Sequence, residues 1–245
     1  GEWLWIAESD DIADPTFLEE ALKAIGQFPS LDIFYSDSFI ISDKGIKDRE
    51  KFSERKNQVF DTLKWNSTYY NKGIDEINEC LKFDCTINNM SSAVLRKSLV
   101  RPLTNRMHEF YFHGDWYFLL KASLAGNIYY CNKPLNYYRV HEKSHSTQQS
   151  SLFLRSRQEC FRILSLLYYN PRVSDKKELI GHFAYNCLGF GLVSDGPVKG
   201  WSILKTYLKM DRKLAIKTIL KIGVFKVLRV KRPFFAKTKK KGLHN

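Results

Sequence analysis

No stretch of the 245 residues approaches the roughly 18 uninterrupted apolar residues that a spanning helix needs. The first residues also lack the charged region and apolar segment of an export signal. The chain therefore reads as soluble or peripheral. Cysteine is scarce, and Cys80, Cys85, Cys131, Cys160 and Cys187 form no Cys-x-x-Cys pair. Their odd number and scatter argue against a zinc knuckle and a secreted disulfide framework, and imply reduced thiols facing the cytosol. No internal repeat and no coiled-coil heptad is present. Acid is nearly missing from the end: residues 196–245 hold 15 Lys+Arg against Asp211 alone, whereas residues 1–195 carry a net charge of −1. The net +13 thus belongs to the tail, and with no nucleic-acid motif beside it the charge does not point to RNA or DNA.

What is there suffices for a packed protein. At 44% hydrophobic and 14% aromatic residues, the chain can bury a sizeable core, as one main domain with a helical appendage. Trp3 to Ala7 is an apolar run ending in Glu8-Ser9-Asp10-Asp11, the pattern of a buried strand followed by an acidic loop. Asp14-Pro15 signals a helix start, and Phe17, Leu18, Ala21, Leu22 and Ile25 repeat at helical spacing up to Gly26. Strands are expected at Leu31–Tyr35 and Phe39–Ile41, and residues 47–72 read as a loop region. A short helix at Ile74–Leu81, a strand at Ala93–Leu95 and a helix at Trp116–Ala125 follow, then strands at Ile128–Cys131 and Leu135–Val140. Helices are expected near 152–169, 176–193, 201–210 and 212–230, with Pro233 stopping the last. An acidic loop at a strand end usually follows earlier βα units, so the amino-terminal half of the sheet is expected upstream of Gly1.

Three features along residues 1–150 share one chemical theme. They are Glu8-Ser9-Asp10-Asp11 with the helix after it, His113-Gly114-Asp115-Trp116, and Pro134-Leu135-Asn136-Tyr137-Tyr138-Arg139-Val140-His141 running on to Ser144 and Ser146. In this order they resemble the metal motif, catalytic-base site and closing basic strand of family-2 glycosyltransferases. The resemblance implies an α/β fold, a truncated GT-A domain (a Rossmann-like mixed sheet with flanking helices) over 1–150, followed by a helical region with a basic amphipathic tail over 151–245. It also implies that the uracil-recognising and first nucleotide-binding residues precede the sequence, so that this chain alone binds donor poorly.

Carboxylates are hard ligands for Mg²⁺ or Mn²⁺, which bind through one or two of them plus substrate phosphates, as a nucleotide-diphosphate sugar requires. The resemblance assigns Asp10 as metal ligand, with Glu8 and Asp11 beside it contacting donor. Glu8 stands where the family more often has Asp, which opens contact with ribose or water instead. The same acids would otherwise merely cap a helix, a role that Asp14 already fills. Asp115 is either the base that takes the acceptor proton or an N-cap, and both roles are compatible. Trp116 reads as core before acceptor pocket. Arg139 and His141 alternate on one strand face and, by resemblance, approach the diphosphate, His141 as donor or metal ligand. Asn88-Asn89-Met90-Ser91-Ser92 either contacts sugar hydroxyls or makes a turn, and Asp37 carries the same two readings. His108, His113 and His145 read as structural or exposed.

The expected activity is inverting transfer of a sugar to an acceptor hydroxyl, in polysaccharide or cell-surface glycan synthesis, on a glycan or lipid-linked acceptor. The expected setting is the cytoplasm or the cytoplasmic face of a membrane. Lys205, Lys209, Lys213, Lys217 and Lys221 recur every fourth residue among apolar positions, and residues 196–245 either lie on an anionic membrane or present a solvated face. The alternative to an enzyme is a non-catalytic remnant or membrane-surface module.

Overall fold

A computed structural model describes residues 1–140 apart from Asn88, then 153–189 and 196–227. The chain is mixed α/β. Seven strands form one sheet: β1 (Trp3–Trp5), β2 (Ile12–Ala13), β3 (Ile33–Ser42), β4 (Lys47–Lys51), β5 (Tyr69–Lys72), β6 (Ala93–Arg96) and β7 (Asn127–Val140). Their order is β1-β6-β3-β7-β2, with β4 added to β3 and β5 to β7. Only β3 and β7 run parallel; every other pairing is antiparallel.

Alternation along β3 sorts the core into two layers, because successive side chains leave opposite faces of a strand. Phe34 packs with Phe17, Ala21 and Ala24 of helix α1 (Phe17–Gln27). Burying a side chain such as Phe17 contributes roughly 1.5–3 kcal/mol. Ile33 and Tyr35 face the other way, against Phe60 of α2 (Phe52–Phe60), Trp65, and Phe118, Leu119 and Ala122 of α5 (Gly114–Ala125). Between α2 and α5 lie α3 (Gly73–Glu76), which continues as a wider π turn over Ile77–Leu81, and α4 (Lys97–Val100). The start of α3 presses on the end of α5: a Cβ at Gly73 would sit 2.1 Å from the Ser123 carbonyl oxygen, so only glycine fits.

Beyond the strands come α6 (Phe153–Tyr169), α7 (Lys176–Phe183) with a π turn over Ala184–Gly189, α8 (Gly196–Met210) and α9 (Arg212–Val227). They share one apolar cluster with the sheet unit: Ile77, Leu81, Trp116 and Leu120 pack with Phe161, Leu164, Phe183, Tyr207 and Leu214. No helix among the described residues is long and apolar enough to cross a membrane. Cys80, Cys85, Cys131 and Cys160 are in no disulfide.

The expected loop at 47–72 is a strand, a helix and a second strand: β4, α2 and β5. Its buried positions Ser53, Lys56 and Phe60 keep helical spacing, but two of the three are polar, so no hydrophobic period marks them. The paired short strands expected at 31–41 and 128–140 are each continuous. Register shifts near Asp37, opposite Cys131 and Pro134, absorb the residues that read as turns. Helix α1 runs through Gly26, and its N-cap is Thr16, whose amide and hydroxyl both donate to the Asp14 carboxylate.

Candidate functional site

The acidic loop lies between β1 and β2, pinned from two sides. From one side, the Glu8 amide donates to Ser91 Oγ at 2.9 Å and Trp5 Nε1 to the Ser91 carbonyl at 2.9 Å. Asn89 Nδ2 donates to the Asp11 carboxylate. From the other, the Arg139 amide donates to Asp11 Oδ1 at 2.9 Å and Arg139 Nε to the Asp10 carbonyl at 2.7 Å. Asn136, fully buried, ties the two sides together through Nδ2, which donates to Asn89 Oδ1 and Ser38 Oγ, each at 3.1 Å. Glu8, Asp11, Asn89, Ser91 and Arg139 therefore meet at one end of the sheet, with the exposed Asp10 between Glu8 and Asp11 in sequence.

Desolvation, then the neighbouring charges of Asp11, Asp10 and Asp115, push the Glu8 carboxyl above its usual range. Desolvation also raises Asp11, against the hydrogen bonds from Arg139, Ser91 and Asn89. That the Asp115 charge is felt at Glu8 brings the mid-chain aspartate into the neighbourhood of the acidic loop.

Asp115 sits in the first turn of α5, one residue past the helix start, while His113 takes the cap position. Its Oδ1 accepts from the Trp116 amide at 2.7 Å, and desolvation raises its carboxyl, with that bond opposing. Trp116 is core, 7% exposed, its indole N–H donating to the Leu81 carbonyl at 2.8 Å.

The segment leading into Asp115 is held by a residue that the sequence did not single out. Glu159 of α6, 2% exposed, accepts the Tyr111, Phe112 and His113 amides at 2.8, 2.9 and 3.0 Å. A single acid in a helix carries no sequence signal for such a role. His113 Nε2 lies 3.0 Å from Ser156 Oγ and 3.3 Å from Cys160 Sγ, so His113 is structural.

A cavity of about 390 Å³ opens beside the end of β7, walled by Tyr138 and Val140, by Phe52 and Arg55 of α2, and by Asp84 and Cys85. At its lining Lys56 is buried, donates to the Thr86 carbonyl at 3.1 Å and lies 5.1 to 5.3 Å from the ring centres of Tyr35, Trp65 and Tyr130. Burial, only partly offset by Asp37 and Glu76, lowers its ammonium to about 8. The reading of 47–72 as loop hid this residue.

The guanidinium of Arg139 is engaged with main chain: besides Asp10, Nη1 donates to the Ser42 and Asp43 carbonyls at 3.0 and 2.9 Å. Asp37 is fully buried and its Oδ1 accepts the Ser53 amide at 2.9 Å. His141, His145, Ser144, Ser146 and Asn88 lie outside the described residues. Among the described residues, no group of three or more His, Cys, Asp or Glu side chains is assembled to hold a metal. Mg²⁺ and Mn²⁺ bound through one or two carboxylates plus phosphate oxygens do not need such a cage, and the oxygens of Asp10 and Glu8 are donors of the right kind. Compared with models of known families and with curated proteins, the chain matches none.

Proposed function

We propose that the protein is a glycosyltransferase of GT-A architecture, moving a sugar with inversion from a nucleotide-diphosphate donor to a hydroxyl of a glycan or lipid-linked acceptor on the cytosolic side. The observation that supports this reading is the meeting of the acidic loop, the Asn89–Ser91 segment and the end of β7 at one sheet end, with the Asp115 charge acting on Glu8.

Asp115 accepts the acceptor proton as that oxygen bonds to the anomeric carbon. The bond from this carbon to the diphosphate oxygen breaks, and its electron pair leaves with the diphosphate. A desolvated carboxylate of raised pKa suits that task, because it holds a proton more firmly than an ordinary aspartate. Mg²⁺ or Mn²⁺, carried on Asp10 and, by the family resemblance, His141, would supply charge to the departing diphosphate. Glu8 and Asp11 shape the donor side of the cleft. Arg139 positions that side by fastening the Asp10 carbonyl and the Asp11 carboxylate to β7.

The test is turnover of a nucleotide-sugar panel with Mn²⁺ by the full-length protein, followed for the wild type and for Asp115→Asn. The substitution is expected to lower transfer by roughly 10²–10⁴-fold and to leave Mn²⁺-dependent nucleotide binding intact. Transfer that survives it removes the base assignment, and absence of turnover across the whole panel removes the enzyme reading.

A further inference from the structure

The helical half carries a groove of about 440 Å³ between α6, α7 and α9. Its apolar lining comes from Tyr168, Ile180 and Leu220. Its rim is cationic, with Lys176 and Lys177 on α7 and Lys217 and Lys221 on α9. The Lys176 ammonium is fixed at one lip by the Leu167 and Asn170 carbonyls, at 2.6 and 2.5 Å. That of Lys217 bonds the Tyr168 hydroxyl at the other.

Two further observations say what such a groove takes. Helix α9 exposes large apolar side chains next to its lysines: Leu220 is 66% and Ile216 42% exposed, one turn apart, beside Lys213, Lys217 and Lys221. Isolated exposed apolar residues are ordinary, but this pair stands among lysines beside the groove. Acids on α6, α7 and α9 and at their ends are also few. Asp211, the one acid between residues 196 and 245, is occupied by the Tyr169 hydroxyl and the Leu214 amide. Asp175 pairs with Lys82 at 3.8 Å, and Glu178 is the remaining acid on α7.

The composition discriminates among occupants. A bare inorganic anion gains nothing from the apolar lining, and a neutral apolar molecule gains nothing from four ammonium groups. The chain's own residues 228–245 hold seven Lys and Arg and no acid, so the rim repels them. An anionic head with an apolar body satisfies both parts. We propose that this groove seats one anionic phospholipid, its phosphate among the lysines and its upper acyl chain over Leu220 and Ile180, and so docks the protein on a lipid surface. This site stands independently of any transfer activity.

The experiment is co-sedimentation of the full chain with phosphatidylcholine vesicles, with and without phosphatidylglycerol, for wild type, Leu220→Ser and the triple variant Lys177→Gln, Lys217→Gln, Lys221→Gln. Leu220 is exposed, so its replacement leaves the fold intact, and circular dichroism checks each variant. Binding is expected only to the anionic vesicles. Each lysine removed is expected to weaken it by about fivefold, the equivalent of about 1 kcal/mol per basic residue near an anionic surface. Leu220→Ser is expected to weaken it severalfold, whereas attraction through the basic tail alone leaves that variant unchanged. A second arm titrates monomeric dihexanoyl-phosphatidylglycerol against glycerol phosphate: the lipid is expected to perturb the Tyr168 and Ile180 resonances and glycerol phosphate is not. Equal partitioning to neutral and anionic vesicles, unchanged binding of Leu220→Ser, or equal binding of glycerol phosphate overturns the proposal.

Discussion

The main-chain N–H of Arg139 donates to the carboxylate of Asp11 across 128 positions of sequence, at 2.9 Å. One residue thus grips the acidic loop twice, since its side chain also takes the Asp10 carbonyl and, through Nη1, the carbonyls of Ser42 and Asp43. Arg139→Gln keeps the amide contact and loses the fork. It is expected to cost about 1–2 kcal/mol in a urea titration and to weaken Mn²⁺ binding, read by electron paramagnetic resonance. Unaltered Mn²⁺ affinity would mean that the loop holds its shape without the guanidinium.

Glu159 is a stronger test of how the mid-chain aspartate is presented. Its carboxylate accepts three successive amides, and a glutamine side chain offers one oxygen for them. Glu159→Gln is expected to destabilise by about 2–3 kcal/mol in thermal melts, with transfer falling alongside as Asp115 loses its setting.

Asp115 links activity and stability with opposite signs. Burial raises its carboxyl, so transfer is expected to climb with pH as the base deprotonates and to level off above the raised value. For folding, the native state holds this proton more tightly than the unfolded chain, so stability falls as pH rises from the ordinary aspartate range through the raised one. Glu8 and Asp11 act in the same direction. Asp115→Asn is therefore expected to raise the melting temperature at neutral pH while lowering transfer, measured by calorimetry beside the assay.

Lys56 gives the reverse dependence. Its ammonium falls from 10.5 to about 8 in the fold, so the unfolded chain binds the extra proton and stability rises between those two values. The difference is worth about 3 kcal/mol. Lys56→Met is expected to flatten that alkaline rise, seen in urea midpoints from pH 7 to 11. A rise that persists in the variant would place its source elsewhere.

The parts legible in the sequence were those whose local pattern matches their environment. The strand before the acidic loop, helix α1, strand β6 and helix α5 all follow apolar periodicity and turn chemistry near where these predict them. Region 47–72 was opaque because its buried helix face includes Ser53 and Lys56, and a lysine over three aromatic rings follows no hydrophobic rule. The joining of β3 and of β7 was hidden by residues typical of turns that here sit at bulges. Glu159 could not be found, since its importance comes from amides some 47 positions away, which only the folded chain brings near.

The cluster that joins Trp116 and Leu120 to Phe161, Leu164 and Phe183 makes the carboxyl-terminal helices part of the scaffold under α5. A chain cut near residue 150 would leave the Trp116 indole and the Leu120 side chain facing water on the helix that bears Asp115. Such a fragment would clump, and fusion partners or proteolytic trimming would do better to respect α6 and α7 than to treat them as dispensable trailing sequence.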